Sequence, residues 1–296
     1  VSKERKRRMS RSSHLLASPA RRLLVLWDID GTLVNLSGLS RSSFFHCMEE
    51  HFGAEVRRAE SEETVSFGGK TDLGICEEVL RVAGYLPASL QGCSHDLLSP
   101  QILRPFFEQV ATEMERVAGE DPSLVQVCPG VQELVKNLEQ QNDRFINGLL
   151  TGNAEVTGLL KTRLAGFEER VFKACAFGCQ ASDRTHLPPL AIQSLATALS
   201  EEDVFPHSAV IVGDTVRDIL CAHAHGLPCI AVGTGGTSLE VLQEHIQSPW
   251  DRVFDDLRDT EEVMRHLQWL VDHCPPNDLC TKGSGRAVPS GQDGES

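Results

Sequence analysis

Four apolar runs, each ending in a turn, constrain the fold of this chain more than any other feature. They are LLVLW (23–27), FINGLL (145–150), SAVIVG (208–213) and PCIAVG (228–233). A run that is apolar at every position is typical of a strand buried on both faces, as in a parallel sheet. Helical patterns follow the last three runs. Strands alternating with helices predict an α/β fold with a Rossmann-like parallel sheet.

Residues 36–127 interrupt this alternation. They are polar, with helical patterns near 42–52, 72–83 and 101–118, and they contain no clear buried strand. We therefore predict a helical domain inserted after the first strand. The predicted division of the chain is a disordered basic segment 1–22, a core formed by 23–35 and 128–272, the insertion 36–127, and a disordered Gly/Pro/Ser-rich tail 273–296.

Charge is distributed unevenly along the chain. The net charge is −14, yet residues 1–22 carry eight Lys/Arg and one Glu, which leaves −21 for residues 23–296. An acidic body argues against nucleic-acid binding, and no apolar run approaches the roughly 20 residues that span a membrane. We expect neither nucleic acid nor membrane as a partner. The basic, Ser-rich beginning fits a plain tail of a cytoplasmic protein, or a mitochondrial or plastid transit peptide.

Two aspartates follow the first apolar run. Asp28 and Asp30 are two positions apart, so both side chains point the same way if the backbone stays extended. Open α/β sheets bind ligands at the carboxyl ends of their strands. Gly31 permits a sharp exit from the strand, and the Thr32 hydroxyl is expected to fix the turn. On its own, the segment is equally well explained as a strand-ending turn.

Three more segments place polar residues after predicted strands or before helices. Thr151-Gly152-Asn153 offers a hydroxyl and backbone N–H groups for an anion, although Thr151 could simply cap a helix. Arg184 could clamp a phosphate or lie in solvent. Asp214 and Asp218, one helical turn apart, suit Mg²⁺, which prefers carboxylates, water and phosphate oxygens. Each segment alone is a weak signal.

In this order, the four segments resemble the motifs of the haloacid dehalogenase (HAD) superfamily of aspartate-nucleophile phosphatases. The resemblance covers roughly residues 23–270 and rests on WDIDGT, LLTGN, the Arg184 region and GDTVRD. The insertion is similar to a C1-type helical cap. FGGKTD, CPGVQELVKNL and LLTGNAEVTGLLKTRLAGF look like the phosphoglycolate-phosphatase-like branch of that superfamily.

The resemblance implies a role for each residue. Asp28 would be the nucleophile and Asp30 the general acid and base. The implied phosphate-binding residues are Thr151, Gly152, Asn153 and Arg184, and the implied Mg²⁺ residues are Asp28, Asp30 through its backbone carbonyl, Asp214 and Asp218, the last through water or by orienting the others. The family usually has Lys at its third motif, so Lys161 and Lys173 are alternatives to Arg184.

Asp30 also separates reactions within the superfamily. A dehalogenase of this fold typically lacks an acid two residues after its nucleophile, so Asp30 favours phosphate esters. In Gly68–Asp72, Lys70 could reach an anionic leaving group, or Thr71 or Asp72 could cap a helix. The Gly-rich segment 233–238 fits no nucleotide-binding pattern and is expected to be a loop after the last core strand.

The predicted function is a Mg²⁺-dependent phosphatase that hydrolyses a small phosphorylated metabolite through an aspartyl-phosphate, as a monomer or homodimer. A phosphomutase of the same fold acting on a sugar phosphate is one alternative. A non-catalytic HAD-fold binding protein is another, and it is weakened because every acidic catalytic position is filled.

Overall fold

A computed structural model describes residues 21–86, 98–200 and 203–283. Its strands are β1 (Leu23–Trp27), β2 (Val34–Asn35), β3 (Gln126–Val127), β4 (Phe145–Thr151), β5 (Ala174–Phe177), β6 (Ser208–Gly213), β7 (Cys229–Val232) and β8 (Arg252–Phe254). Its helices are α1 (Leu39–Phe52), α2 (Asp72–Val82), α3 (Pro100–Glu120), α4 (Val131–Gln140), α5 (Glu155–Leu164), α6 (Leu187–Ala198), α7 (Val216–His223), α8 (Leu239–Glu244), α9 (Thr260–His273) and α10 (Asp278–Gly283).

Six of the strands form one parallel sheet in the order β5-β4-β1-β6-β7-β8. The predicted α/β core is therefore confirmed. Strand β1 lies at its centre, and all five of its residues are buried, as a strand covered on both faces requires. Trp27 is in register with Leu149 of β4 and Val212 of β6. The residues that follow these three strands consequently meet at one edge of the sheet.

Alternate residues of β1 supply the two faces of the sheet. Leu23, Val25 and Trp27 pack with α4, α5 and α9, whereas Leu24 and Leu26 pack with α6, α7 and α10. Helices on both faces complete a three-layer core. None of the helices in the described ranges is long and apolar enough to cross a membrane.

The helical insertion leaves and rejoins the core at one place. Strands β2 and β3 form a two-stranded antiparallel ribbon, with Val34 opposite Val127. Between them lie α1, α2, α3 and a 3₁₀ helix at Ala54–Ala59. Helix α1 packs against α3 through edge-to-face rings such as Phe44 and Phe106, whose centroids are 5.4 Å apart. This insertion, hereafter the cap, covers the carboxyl edge of the sheet.

The C-terminal prediction was wrong in part. Disorder was expected from residue 273, but α10 packs against α6 and β6, and Cys280 is fully buried. The Asn277 amide fixes the approach to α10 by donating to the carbonyl of His225 over 2.9 Å. Gly, Pro and Ser are frequent in residues 273–296, yet Leu279 and Cys280 supply enough apolar surface to dock. Residues 1–20 and 284–296 lie outside the described residues.

Candidate active site

Asp28 lies immediately after β1, under the cap. Its backbone N–H donates to the carbonyl of Val212 over 2.9 Å, and its side chain is only 4% exposed. The chain then turns at Gly31, whose φ of 76° favours glycine. The Thr32 hydroxyl, expected to fix this turn, has no hydrogen-bond partner; backbone N–H groups bonded to the carbonyl of Ile29 hold the turn instead.

Asp214, at the end of β6, is held close to Gly31. A Cβ atom on Gly31 would lie 2.5 Å from Asp214 Oδ2, and one on Gly235 would lie 1.7 Å from it. Only glycine lets these loops approach the carboxylate so closely. The Thr234 hydroxyl donates to the carbonyl of Gly31 over 2.5 Å. The segment 233–238 follows β7 rather than the last strand, and it forms part of the site, which its sequence signalled only through its glycines.

Three carboxylates form the acidic centre of the site. Asp28, Asp214 and Asp218 each offer an oxygen within 4.8 Å of the others, and Asp214 Oδ1 is buried without a partner. Burial raises the pKa of Asp28 to about 6 although Arg184 opposes the shift. Burial, followed by the charges of Asp218 and Asp28, raises the pKa of Asp214 well above its usual value. Clustered carboxylates with an unpartnered oxygen fit a hard divalent cation.

Asp218 contributes to this centre differently from Asp214. Its Oδ2 accepts from the backbone N–H of Thr215 over 3.0 Å and from the Thr215 hydroxyl over 2.6 Å, which completes a capping box at the start of α7. Its Oδ1 accepts from Arg184 over 2.5 Å. Because both oxygens are engaged, the geometry favours an orienting role over direct metal contact.

Arg184 points into the site from a short 3₁₀ helix, Arg184–His186. Its Nη2 lies 3.2 Å from Asp28 Oδ1 and also donates to the carbonyl of Leu150 over 3.1 Å. Burial opposes its ionisation, but Asp218 and Asp28 raise its pKa further. The solvated alternative is therefore excluded by the structure, and the alternative Lys173 is exposed.

Lys161 is a second buried cation in the site. It projects from α5, is 3% exposed, and places Nζ 2.6 Å from Asp30 Oδ2. The Asn153 amide donates to the same oxygen over 2.8 Å. Two donors thus fix the Asp30 carboxylate, whose side chain remains 43% exposed. Arg184 and Lys161, predicted as alternatives for one position, are therefore both present in the site: Arg184 contacts Asp28 and Lys161 contacts Asp30.

The loop after β4 lies beside Asp30. Thr151 ends the strand fully buried, and its hydroxyl accepts from the backbone N–H of Asn153 over 3.3 Å. Helix α5 begins only at Glu155, with Ala154 as its N-cap, so the helix-capping alternative for Thr151 was wrong. Gly152 and Asn153 line the cavity above the acidic centre, and Thr151 supports them from beneath.

A cap loop at Gly68–Asp72 docks on the loop after β4. A Cβ atom on Gly152 would lie 1.9 Å from the carbonyl oxygen of Lys70, so only glycine permits this contact. The backbone N–H of Asp72 donates to the carbonyl of Gly152 over 2.6 Å. The Asp72 carboxylate accepts from the backbone N–H of Ala154 over 2.7 Å. The cap is therefore closed over the site.

The structure shows the capping alternative for this cap loop and pairs Lys70 with a carboxylate. Thr71 is the N-cap of α2 and accepts from the backbone N–H of Gly74 over 3.1 Å. Lys70 lines the cavity, where its Nζ lies 2.5 Å from Glu78 Oε2. The cap loop consequently begins a helix and also presents a side chain to the site.

A cavity of about 350 Å³ lies between the cap and the core. Its floor consists of Asp28, Asp30, Gly31, Gly152, Asn153, Lys161, Arg184, Asp214 and Thr215. Its roof includes Leu36, Ser37, Arg41, Phe44, Glu62, Phe67, Lys70, Phe107, Val110 and Met114. Fold and site together define an α/β enzyme with an acidic centre at the carboxyl edge of its sheet and a helical cap over it.

Known proteins with similar sequences agree with this class. Residues 188–260 match the family model described as HAD-hydrolase-like. Pyrophosphatase PpaX of Bacillus pumilus is 25% identical over 221 residues, which is 75% of this chain and 88% of that protein. Phosphoglycolate phosphatase of Xanthomonas campestris is 24% identical over 207 residues, covering 70% of this chain and 81% of that protein.

Solved structures share the fold. A hydrolase from Pseudomonas syringae, 16% identical, covers 84% of this chain and 99% of its own, with a TM-score of 0.54. CbbY of Rhodobacter sphaeroides, 18% identical, covers 80% and 95% of the two chains, with a TM-score of 0.53. Together with the match over residues 188–260 and the named relatives, the shared fold supports the resemblance to HAD-like hydrolases drawn from the sequence motifs.

Proposed function

We propose that this protein is a Mg²⁺-dependent phosphatase that hydrolyses a small phosphomonoester through an aspartyl-phosphate. One observation carries the proposal: Asp28 and Asp30 face one cavity beneath the cap, beside the unpartnered Oδ1 of Asp214. The names of the relatives, a pyrophosphatase and a phosphoglycolate phosphatase, support phosphate chemistry. The cavity volume of about 350 Å³ is at the small end for metabolite sites.

The proposed first step forms a bond between Asp28 and phosphorus. The Asp28 carboxylate attacks, and the leaving oxygen departs with the proton of Asp30. Arg184 holds Asp28 Oδ1 in place from behind. Lys161 and Asn153 hold the Asp30 carboxylate at the cavity wall. Gly152 offers its backbone N–H to the phosphoryl oxygens, while the N–H of Asn153 is bonded to the Thr151 hydroxyl beneath them.

The second step returns the enzyme to its starting state. Asp30 takes a proton from water, the water oxygen attacks phosphorus, and the bond to Asp28 breaks to release phosphate. The cap over the site limits the access of other water to the reacting atoms. Asp28, Asp214 and the backbone carbonyl of Asp30 would hold Mg²⁺, with Asp218 orienting the site. When bound, Mg²⁺ supplies positive charge that stabilises the phosphoryl oxygens.

Removing the nucleophile tests the proposal. We expect Asp28→Asn to lower phosphate release by about a thousandfold or more, because an amide cannot form the intermediate. Release would be measured over a panel of phosphomonoesters with Mg²⁺ and again with excess EDTA, which should abolish it. Asp143→Asn, on the exposed surface outside the cavity, is the control and should match the wild type. Wild-type turnover by Asp28→Asn would refute the assignment.

A further inference from the structure

We infer that the leaving group of the substrate is uncharged and has an apolar face. This inference rests on the proposed phosphatase function and deepens it. The cavity extends from the catalytic aspartates into the cap, and the cap end must receive whatever the phosphoryl group is attached to. The side chains at the cap end of the cavity therefore determine which leaving groups can bind there.

One wall of the cap end is apolar. Phe107, Val110 and Met114 lie at positions i, i+3 and i+7 of α3, so they share one face of that helix, and each is at most 3% exposed. Phe44 of α1 lines the same space and meets Phe67 edge-to-face, with ring centroids 5.2 Å apart. Such a wall favours carbon over charge.

Arg41, a cation of the cap that lines the same cavity, already has its own partners. Arg41 Nη1 lies 2.6 Å from Glu62 Oε2. Its Nε and Nη2 donate to the carbonyl of Glu60 over 2.9 and 2.5 Å, and its guanidinium stacks over Phe67 at 4.4 Å from the ring centroid. Because the donors of the Arg41 guanidinium are already engaged, this side chain lines the cavity without offering a binding site for an anion.

The other cations of the cavity are paired as well. Lys70 contacts Glu78, Lys161 contacts Asp30, and Arg184 contacts Asp28 and Asp218. Among the described residues, each of the four Lys and Arg side chains that line the cavity therefore has a carboxylate partner, and five carboxylates line the cavity beside them. Bound Mg²⁺ offsets the charge of the phosphoryl group. A carboxylate or phosphate on the leaving group would lose its hydration in the cavity and find no unpaired cation there, so its binding would be unfavourable.

A matched pair of substrates tests this inference. We expect kcat/KM for 4-methylphenyl phosphate to exceed that for 4-carboxyphenyl phosphate by about tenfold or more. The two leaving groups have similar shapes, and the carboxylate compound has the more reactive ester bond, so intrinsic reactivity opposes the expected order. A preference for the carboxylate compound would overturn the inference while leaving the phosphatase assignment intact. Hydrolysis of no phosphomonoester at all would overturn both.

Charge-removing variants test the stated cause. Glu62→Gln frees Arg41 and Glu78→Gln frees Lys70, so each should raise kcat/KM for 4-carboxyphenyl phosphate relative to the methyl compound by roughly tenfold. Glu108→Gln breaks an exposed pair with Arg104 on the outer face of α3 and should leave the ratio unchanged. If neither cavity variant changes the ratio while both melt like the wild type, the pairing is not what excludes anions.

Discussion

At the scale of single residues, the fixed carboxylate of Asp30 is the feature that most distinguishes this site. Lys161 contacts this carboxylate from α5, about two helical turns after the N-cap residue Ala154. The buried ammonium therefore does not lie in the strand-end motifs, where a sequence search looks for it. Positioned proton transfer contributes about 10²- to 10⁴-fold to a rate, so losing the positioning should cost a sizeable part of that.

Replacing Lys161 tests this role. We expect Lys161→Met to lower kcat by roughly a hundredfold with a small change in KM, because Asp30 loses its strongest partner while the cavity keeps its shape. Lys161→Arg should recover part of the rate. Lys136→Met, exposed on α4, serves as the control. Steady-state kinetics separate the two constants, and an increase in KM with an unchanged kcat would identify Lys161 as a substrate-binding residue instead.

Sequence reasoning predicted that Asp28 and Asp30 lie together at the sheet edge because their geometry is local. Asp28 and Asp30 are two positions apart after a buried strand, so their shared direction follows from strand periodicity. Thr32, Thr151 and Asp218 were harder to interpret, because a hydroxyl or carboxylate has several possible partners and tertiary packing selects one. The sequence alone could not assign Arg184 and Lys161 to different aspartates, since that distinction depends on the crossing of α5 with the sheet edge.

At the scale of secondary-structure elements, the strands that are apolar at every position and the helices after them were predicted, whereas β5, β8 and α10 were not. Strand β5 has four residues, and β8 has three, with Arg252 exposed on it. Such strands carry too few residues for a periodic pattern, and pairing with β4 or β7 defines them. Helix α10 was missed for the same reason, since six residues flanked by Pro and Gly resemble a loop.

The contact between the cap loop and the core is the element-scale feature with the clearest functional consequence. Asp72 begins α2 and accepts from the backbone N–H of Ala154, just before α5, so one carboxylate joins the ends of two helices. We expect Asp72→Ala to lower kcat/KM by about tenfold, mainly through KM, because it weakens the closed state. Faster hydrogen exchange in Gly68–Asp72 should accompany the change.

A matched variant separates closure from general damage to the cap. Glu115→Ala removes an exposed carboxylate from α3 outside the cavity. It should leave both kcat/KM and the hydrogen exchange of Gly68–Asp72 unchanged. Unaltered hydrogen exchange in Asp72→Ala would show that this carboxylate does not hold the cap loop against the core.

At the scale of the whole molecule, acid stability is expected to depend on a residue far from the chemistry. His266 of α9 is 8% exposed and stacks on Trp269, with centroids 5.8 Å apart. Burial, aided by the charge of Arg252, lowers the pKa of His266 to about 4. At pH values between its ordinary pKa of 6.5 and about 4, His266 is protonated in the unfolded chain but neutral in the folded chain. The free energy of unfolding therefore falls as the pH drops through this window.

A non-titrating substitution isolates this effect. Between pH 7.5 and pH 5, the wild type should lose about 1 kcal/mol more stability than His266→Gln, a figure discounted for partial solvent screening. That difference corresponds to roughly 2–4 °C in melting temperature for a chain of this size. Differential scanning calorimetry at the two pH values measures it. Equal losses in the two proteins would exclude His266 as the source of acid sensitivity.

The ribbon of β2 and β3 has one more consequence for the molecule. The two segments that connect the cap to the core lie side by side as β2 and β3. A rotation of the cap about this ribbon would therefore not stretch a second connection. The hydrogen bonds of Asp72 with the Gly152 carbonyl and the Ala154 N–H tie the cap loop to the core at a second place. On the proposed function, this contact would have to break before each product leaves. Opening of the cap, rather than bond breaking at Asp28, is then expected to limit the rate.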